Sequence, residues 1–151
     1  MKYYIITSLF LLLLNGCSYK NAYTSFDMNK TQQLIESNTQ SSRVASDNGV
    51  YAIFSAIYLN NIYKRKGLKD ESFVISLYMK DITKKHEFKL NNKKIIDIIP
   101  LDKNNRYFPL VKNQESWNIN YIIKFKKSVK DLNLTLSIDN LSSYPLIFFK
   151  E

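Results

Sequence analysis

The sequence has few of the residues from which covalent cross-links and catalytic centres are built. Its 151 residues include one cysteine, one histidine, three glycines and three prolines. One cysteine excludes a disulfide framework, and one histidine excludes a metal site built from several histidine or cysteine ligands. The glycines, at positions 16, 49 and 67, lie too far apart for a glycine-rich phosphate loop. We therefore expect no resident metal and no cofactor.

Acidic residues are also scarce, with 13 against 22 basic ones, which gives a formal net charge of +9. Hydrophobic residues make up 45% of the chain and aromatic residues 14%. This is too apolar for a disordered basic tail and sufficient for one modest folded domain.

Few combinations of residues could support catalysis. A serine or cysteine nucleophile needs a base, and the one histidine, His86, lies in a charged segment that predicts a solvated strand residue. The sequence does not indicate which carboxylates would form a catalytic pair; the candidates are Glu71, Asp97, Asp102 and Glu115. We expect no catalytic residue and no enzymatic activity.

The one long hydrophobic run lies at the N-terminus. Met1 and Lys2 precede an apolar stretch over residues 3–14, which is shorter than the ~20 residues that span a bilayer as a helix. The following Leu14-Asn15-Gly16-Cys17 resembles the lipobox of bacterial lipoproteins. The resemblance implies cleavage before Cys17 and acylation of its thiol, and Ser18 favours the outer membrane, facing the periplasm. The alternative is an ordinary secretory signal that happens to end near a cysteine.

The sequence predicts three segments. Residues 1–16 form the signal peptide, residues 17–40 form a lipidated tether with one short helix at 31–39, and residues 41–151 form a β-domain. Asp47-Asn48-Gly49 and Asn91-Asn92 are typical hairpin turns. The predicted strands are 50–59, 72–79, 86–90, 93–99, 118–126, 132–138 and 145–149, the last at a sheet edge because of Pro145.

Short strands without intervening helices favour an all-β fold, an antiparallel β-sandwich. Trp117 and Tyr121 resemble the buried aromatic anchor of immunoglobulin-like sandwiches, although the disulfide of antibody domains is absent. The run from Ala56 to Tyr63 is similar to a stretch in uncharacterised small envelope lipoproteins. These resemblances imply an immunoglobulin-like fold and no particular activity.

Two loops, 60–70 and 104–115, combine aromatic with basic side chains and could contact a partner. The candidate contacts are Tyr63, Lys64, Arg65, Lys66, Arg106, Tyr107 and Phe108. The alternative is that the aromatic rings close the ends of the sandwich core. The basic surplus could attract anionic lipid, lipopolysaccharide or cell-wall groups, or could reflect composition alone. We expect no nucleic-acid partner, because the chain is predicted to be exported and has only three arginines.

Two segments, Asp27–Thr31 and Asp131–Thr135, resemble the extended acceptor sequence of bacterial N-glycosylation. The resemblance implies glycosylation at Asn29 and Asn133 in a host that has such a pathway. Taken together, the sequence predicts a lipid-anchored, non-enzymatic adaptor or accessory subunit of an envelope protein assembly. The alternative is a module that binds glycan, lipopolysaccharide or anionic lipid through its basic loops.

Overall fold

Two antiparallel sheets account for most of the structure, a computed structural model that describes residues 29–64, 67–111, 116–129 and 131–150. Sheet A has the order β1-β2-β3-β7-β6, and sheet B has the order β10-β8-β4-β5 with β9 paired to β8. The helices are α1 (Lys30–Ser37) and α2 (Leu59–Ile62), and a 3-10 turn covers Phe108–Leu110. The strands are β1 (Thr39–Ser46), β2 (Gly49–Tyr58), β3 (Glu71–Met79), β4 (His86–Leu90), β5 (Lys93–Lys94), β6 (Asp97–Pro100), β7 (Ile119–Phe125), β8 (Leu132–Ile138), β9 (Leu141–Ser142) and β10 (Leu146–Phe148).

The strand order is that of an immunoglobulin-like sandwich. Strands β2, β3, β7 and β6 occupy the places of strands A, B, E and D, and β10, β8 and β4 occupy those of G, F and C. Strand β1 is an addition that lengthens sheet A beyond β2. The predicted all-β sandwich is therefore confirmed.

Both predicted hairpin turns are present. Ser46 pairs with Gly49 across a two-residue loop, and Gly49 has φ +110, a backbone conformation that L side chains rarely adopt. Asn91 and Asn92 have φ values of 48 and 64, as the two central residues of a type I′ turn require. This turn connects Leu90 to Lys93, which pair across it.

The main core lies between the inner faces of the two sheets. Strand β8 shows the pattern most clearly, because its leucines and Ile138 are buried and alternate with more exposed polar residues. Phe54 and Phe88 meet edge to face across the sheets, with ring centroids 5.5 Å apart. Each such aromatic pair contributes about 0.5–1.5 kcal/mol beyond the area that it buries.

A second apolar cluster covers part of the outer face of sheet A. It joins outward side chains of β2, β3 and β7 to residues from the segment after β6; the buried members are Ile57, Leu59, Val74, Leu101, Tyr107, Leu110, Val111 and Ile122. Ile35 of helix α1 packs against the same cluster. Segment 101–111 and helix α1 thus leave only part of this sheet face open.

Three expectations need correction. Residues 39–46 form strand β1, whose polar sequence gives no alternating hydrophobic signal, so the sandwich begins before residue 41. The predicted strand 93–99 is split into β5 in sheet B and β6 in sheet A. Trp117 is 60% exposed because it lies in the turn before β7, and it is therefore not the buried anchor. Tyr121 packs against the main core, as expected for an inward position on β7.

The predicted signal peptide, Cys17 and most of the predicted tether lie outside the described residues. In the part of the chain that the structure describes, no helix has the length and apolar character needed to span a membrane.

Candidate functional site

A row of small polar side chains crosses the outer face of sheet A. Cross-strand pairing places Ser41 opposite Ser55, Ser55 opposite Ser76, and Ser76 opposite Asn120. The row thus runs through four neighbouring strands, β1, β2, β3 and β7. Because neighbouring strands lie about 4.8 Å apart, it extends over about 14 Å. We call these four residues the serine row.

Ser41, Ser55 and Ser76 of the serine row lie at the floor of a groove of about 660 Å³, whereas Asn120 does not line it. One side of the groove is formed by the second cluster. Its members there are Ile57, Val74, Leu110 and Val111, and Ile35, which packs against them, also lines the groove. A volume of this size lies within the range of about 300–1,000 Å³ that is typical of small-ligand sites.

The other side of the groove carries exposed apolar side chains. Ile53 pairs with Tyr78 one row further along the strands, and Trp117 lies beside them in the turn before β7. Their exposed fractions are 49%, 40% and 60%. Large apolar side chains this accessible, grouped around one concavity, are typical of recognition surfaces.

The polar groups of the serine row have unused hydrogen-bonding capacity. Among the described residues, the hydroxyls of Ser41, Ser55 and Ser76 contact no hydrogen-bond partner. The Oδ1 atom of Asn120, at the end of the row, is buried and also lacks a partner in the described structure. An unpaired buried acceptor costs about 1–3 kcal/mol, but this atom is shielded and Asn120 does not line the groove, so only the three hydroxyls are available to a ligand there.

The segment that bounds the groove is held by its own turn chemistry. Asp102 accepts a hydrogen bond from the Asn104 amide at 2.9 Å, and Asn105 accepts one from the Tyr107 amide at 3.0 Å. The Tyr107 ring meets that of Tyr63 edge to face at 5.3 Å. These contacts fix the 3-10 turn that brings Leu110 and Val111 to the groove.

The partner contacts predicted in the two loops do not form one exposed patch. Tyr107 is only 7% exposed, so its ring belongs to the second cluster and is not available to a partner. Tyr63 and Phe108 are half-buried against that cluster, as the alternative interpretation of these loops expected. Lys64 and Arg106 are exposed, and the Arg106 guanidinium lies 4.6 Å from the Tyr107 ring centroid. Arg65 and Lys66 lie outside the described residues.

The three candidate catalytic carboxylates within the described residues each contact other partners. Asp97 pairs with Lys124 at 2.8 Å, and Asp102 holds the turn described above. Glu115 lies outside the described residues. Glu71 is completely buried, and its carboxylate accepts hydrogen bonds from the Tyr58 hydroxyl at 2.6 Å, from the Ser128 amide at 2.9 Å, and from the Lys150 ammonium.

This Glu71 cluster has a defined electrostatic character. Burial alone would raise the pKa of Glu71, but the hydrogen bonds from Lys150, Tyr58 and Ser128 outweigh that effect and lower it. Burial, together with the bond to Glu71, raises the pKa of the Tyr58 hydroxyl far above its ordinary value. The cluster thus connects the start of β3, the segment after β7 and the C-terminal segment through a buried ion pair.

His86 occupies a less solvated place than its charged neighbours suggested. It is half-buried, and its ring lies 6.2 Å from the rings of both Phe88 and Tyr121, measured between centroids. Because Tyr121 belongs to the inward face of sheet A, the imidazole lies at the inter-sheet space. The serine row lies on the opposite face of sheet A.

The two proposed glycosylation sites differ in setting. Asn29 is exposed and directly precedes helix α1. Its Oδ1 accepts a hydrogen bond from the Gln32 backbone amide, and its own backbone amide donates one to Gln32 Oε1. Asn133 is exposed on β8, with its backbone amide and carbonyl both bonded to Asn91. Glycosylation of either site stays a prediction.

The groove residues Ser41, Ser55 and Ser76 were not singled out by the sequence. Their signal is a serine at outward positions of otherwise apolar strands, which becomes visible only when the strand register is known. Within the described ranges, no group of three or more metal-binding side chains is present. Comparison with known proteins found no matching family model, no similar curated protein and no similar solved structure.

Proposed function

We propose that this chain is a lipid-anchored envelope lipoprotein without enzymatic activity, whose sandwich recognises a partner through the groove on sheet A. In this role it would act as an adaptor or accessory subunit of an envelope assembly. The observation that carries the proposal is the groove itself, in which unpaired polar groups and exposed apolar side chains meet in one concavity.

The N-terminal sequence supports the anchoring part of the proposal. Leu14, Gly16 and Cys17 have the residue types and spacing of a lipobox, directly after an apolar run of signal-peptide length. Two or three acyl chains on Cys17 would hold the protein at a membrane stably, because each buried methylene contributes about 0.8 kcal/mol.

The arrangement of the groove favours binding over catalysis. A serine in the groove could serve as a nucleophile only beside a base. His86 of β4 packs instead against Tyr121, on the face of sheet A opposite to the groove. Two cations considered for binding through basic surfaces already have local partners, since Lys124 pairs with Asp97 and Arg106 stacks on Tyr107. The groove is therefore the better-supported contact surface.

Cross-linked recovery from native membranes tests both parts of the proposal. We expect Ser55→Tyr to fill the groove floor and to abolish recovery of a defined envelope partner. The matched control is Ser137→Tyr, the same change at an outward position of β8 in sheet B. Cys17→Ala should remove incorporation of a labelled fatty acid and release the protein from the membrane. Equal recovery with Ser55→Tyr and Ser137→Tyr would contradict the role of the groove.

A further inference from the structure

We infer that the ligand of the groove is an uncharged, hydroxyl-rich molecule, namely a neutral glycan that lies across the serine row. This inference rests on the proposed function, because it names the chemical class that the groove would recognise. It uses the groove and not the basic loops.

The first argument concerns hydrogen bonding. A serine hydroxyl can donate one hydrogen bond and accept two, and the hydroxyls of Ser41, Ser55 and Ser76 make none within the described structure. Sugar hydroxyls have the same dual character, so they can satisfy such groups in either direction.

The second argument concerns the aromatic side chains. Trp117 and Tyr78 are exposed beside the row, and both are rigid rings with one polar atom. The flat C–H face of a pyranose ring packs well on such a surface while its hydroxyls point sideways. The groove therefore presents aromatic rings next to serine hydroxyls, which complement the C–H face and the hydroxyls of a sugar ring.

The third argument concerns charge. No residue that lines the groove in the described ranges is acidic or basic, although the chain has a net charge of +9. Arg43, opposite Ile53 on β1, is an exposed cation at the margin of the groove. The described lining itself offers an anionic ligand no ion pair, whereas lysines elsewhere on the surface do. The lining thus matches an uncharged ligand.

The sheet geometry argues against an extended peptide as the occupant. A peptide that adds a strand to a sheet pairs with the backbone of an edge strand. Thr39 and Ser41 of edge strand β1 lie at one end of the groove, but most of its floor lies over β2 and β3, two interior strands whose backbone groups are already paired on both sides. Over these two strands, side chains alone are available for hydrogen bonding.

The test is binding of the full-length protein to immobilised neutral and acidic oligosaccharides, in a zwitterionic detergent without a sugar headgroup. We expect binding to neutral oligosaccharides that persists from about 0.01 M to about 1 M salt, where electrostatic attraction is screened. Trp117→Ala should weaken this binding at least tenfold, and the double variant Ser55→Ala with Ser76→Ala should weaken it several-fold. The matched control is Tyr144→Ala, which removes an exposed ring that does not line the groove.

The outcomes separate this inference from the proposed function. If no neutral oligosaccharide binds, or if binding is confined to acidic ones and lost with salt, the inference is overturned. Should membrane recovery then still depend on Ser55 and not on Ser137, the proposed function would stand with a different ligand. Equal loss of binding in Trp117→Ala and Tyr144→Ala would likewise contradict the assignment to the groove.

Discussion

Replacing Lys150 with methionine removes the ammonium group that faces the buried Glu71 carboxylate. Glu71 is completely buried, whereas the Lys150 side chain is 28% exposed. Breaking a buried ion pair by removing one partner costs about 3–5 kcal/mol, because the remaining charge stays buried without compensation. The bonds from Tyr58 and Ser128 persist in this variant, so we expect Lys150→Met to lower the free energy of unfolding by about 3 kcal/mol, the low end of that range.

Urea unfolding measures this loss directly. With a slope of about 2 kcal/mol per molar urea, the midpoint should fall by about 1.5 M. Lys126→Met, which removes an exposed lysine in the segment after β7, should change stability by less than about 0.5 kcal/mol.

The pH dependence gives a second readout of the same pair. Because the folded-state pKa of Glu71 is lowered, its carboxylate stabilises the protein above the unfolded pKa, and this contribution is lost as pH falls through the folded pKa. Without Lys150 the buried carboxylate should bind a proton more readily, so the variant should lose less stability on acidification. Neutral surface substitutions scatter by ~0.5 kcal/mol, which corresponds to about 0.3 M in the urea midpoint. A Lys150→Met midpoint within about 0.3 M of the parent, together with an unchanged pH profile, would refute this reasoning.

Four further substitutions test the fold. Asn91→Ala should cost about 1–2 kcal/mol of stability, because the Asn91 side chain hydrogen-bonds the backbone of Asp131 and Asn133. Asn92→Gly should be neutral or stabilising, because it relieves a positive φ. Thermal unfolding of both variants checks the contrast. The Gln40 side-chain amide hydrogen-bonds both backbone groups of Ile147 on edge strand β10. Gln40→Ala should leave these groups unpaired, so light scattering should show faster aggregation of this variant and no change for Lys126→Met. Phe88→Ala should cost about 3–5 kcal/mol of stability in urea unfolding, and a loss below 1 kcal/mol would contradict its place in the core.

Local patterns accounted for much of the fold. The alternation in β8 and the two turn signals act over a few residues, so the sequence predicted those strands and hairpins well. Strand β1 was missed because its outward and inward positions are both mostly polar, and its pairing depends on the neighbouring β2. The burial of Tyr107 depends on how segment 101–111 packs over sheet A, and the exposure of Trp117 depends on its place in the turn before β7. No local sequence pattern predicts either.

The candidate site was less predictable for a related reason. A serine row is a property of four strands in register, and its members are separated by up to 79 positions in the chain, from Ser41 to Asn120. The Glu71 cluster likewise joins distant residues, because Tyr58 is 13 positions and Lys150 is 79 positions from Glu71. Charged and aromatic loop residues drew attention in the sequence because of their residue type, whereas the serines at the floor of the groove are unremarkable one at a time.

Position-specific photocross-linking in the native envelope tests the central claim, that the groove on sheet A is the recognition surface. A photoreactive phenylalanine analogue would replace Ile53, at the groove, or Ile147, a similarly exposed isoleucine on β10. The account predicts a discrete adduct, protein or glycan, from position 53 and none from position 147, with identification by mass spectrometry. Equal adducts from both positions, or an adduct from position 147 alone, would contradict it.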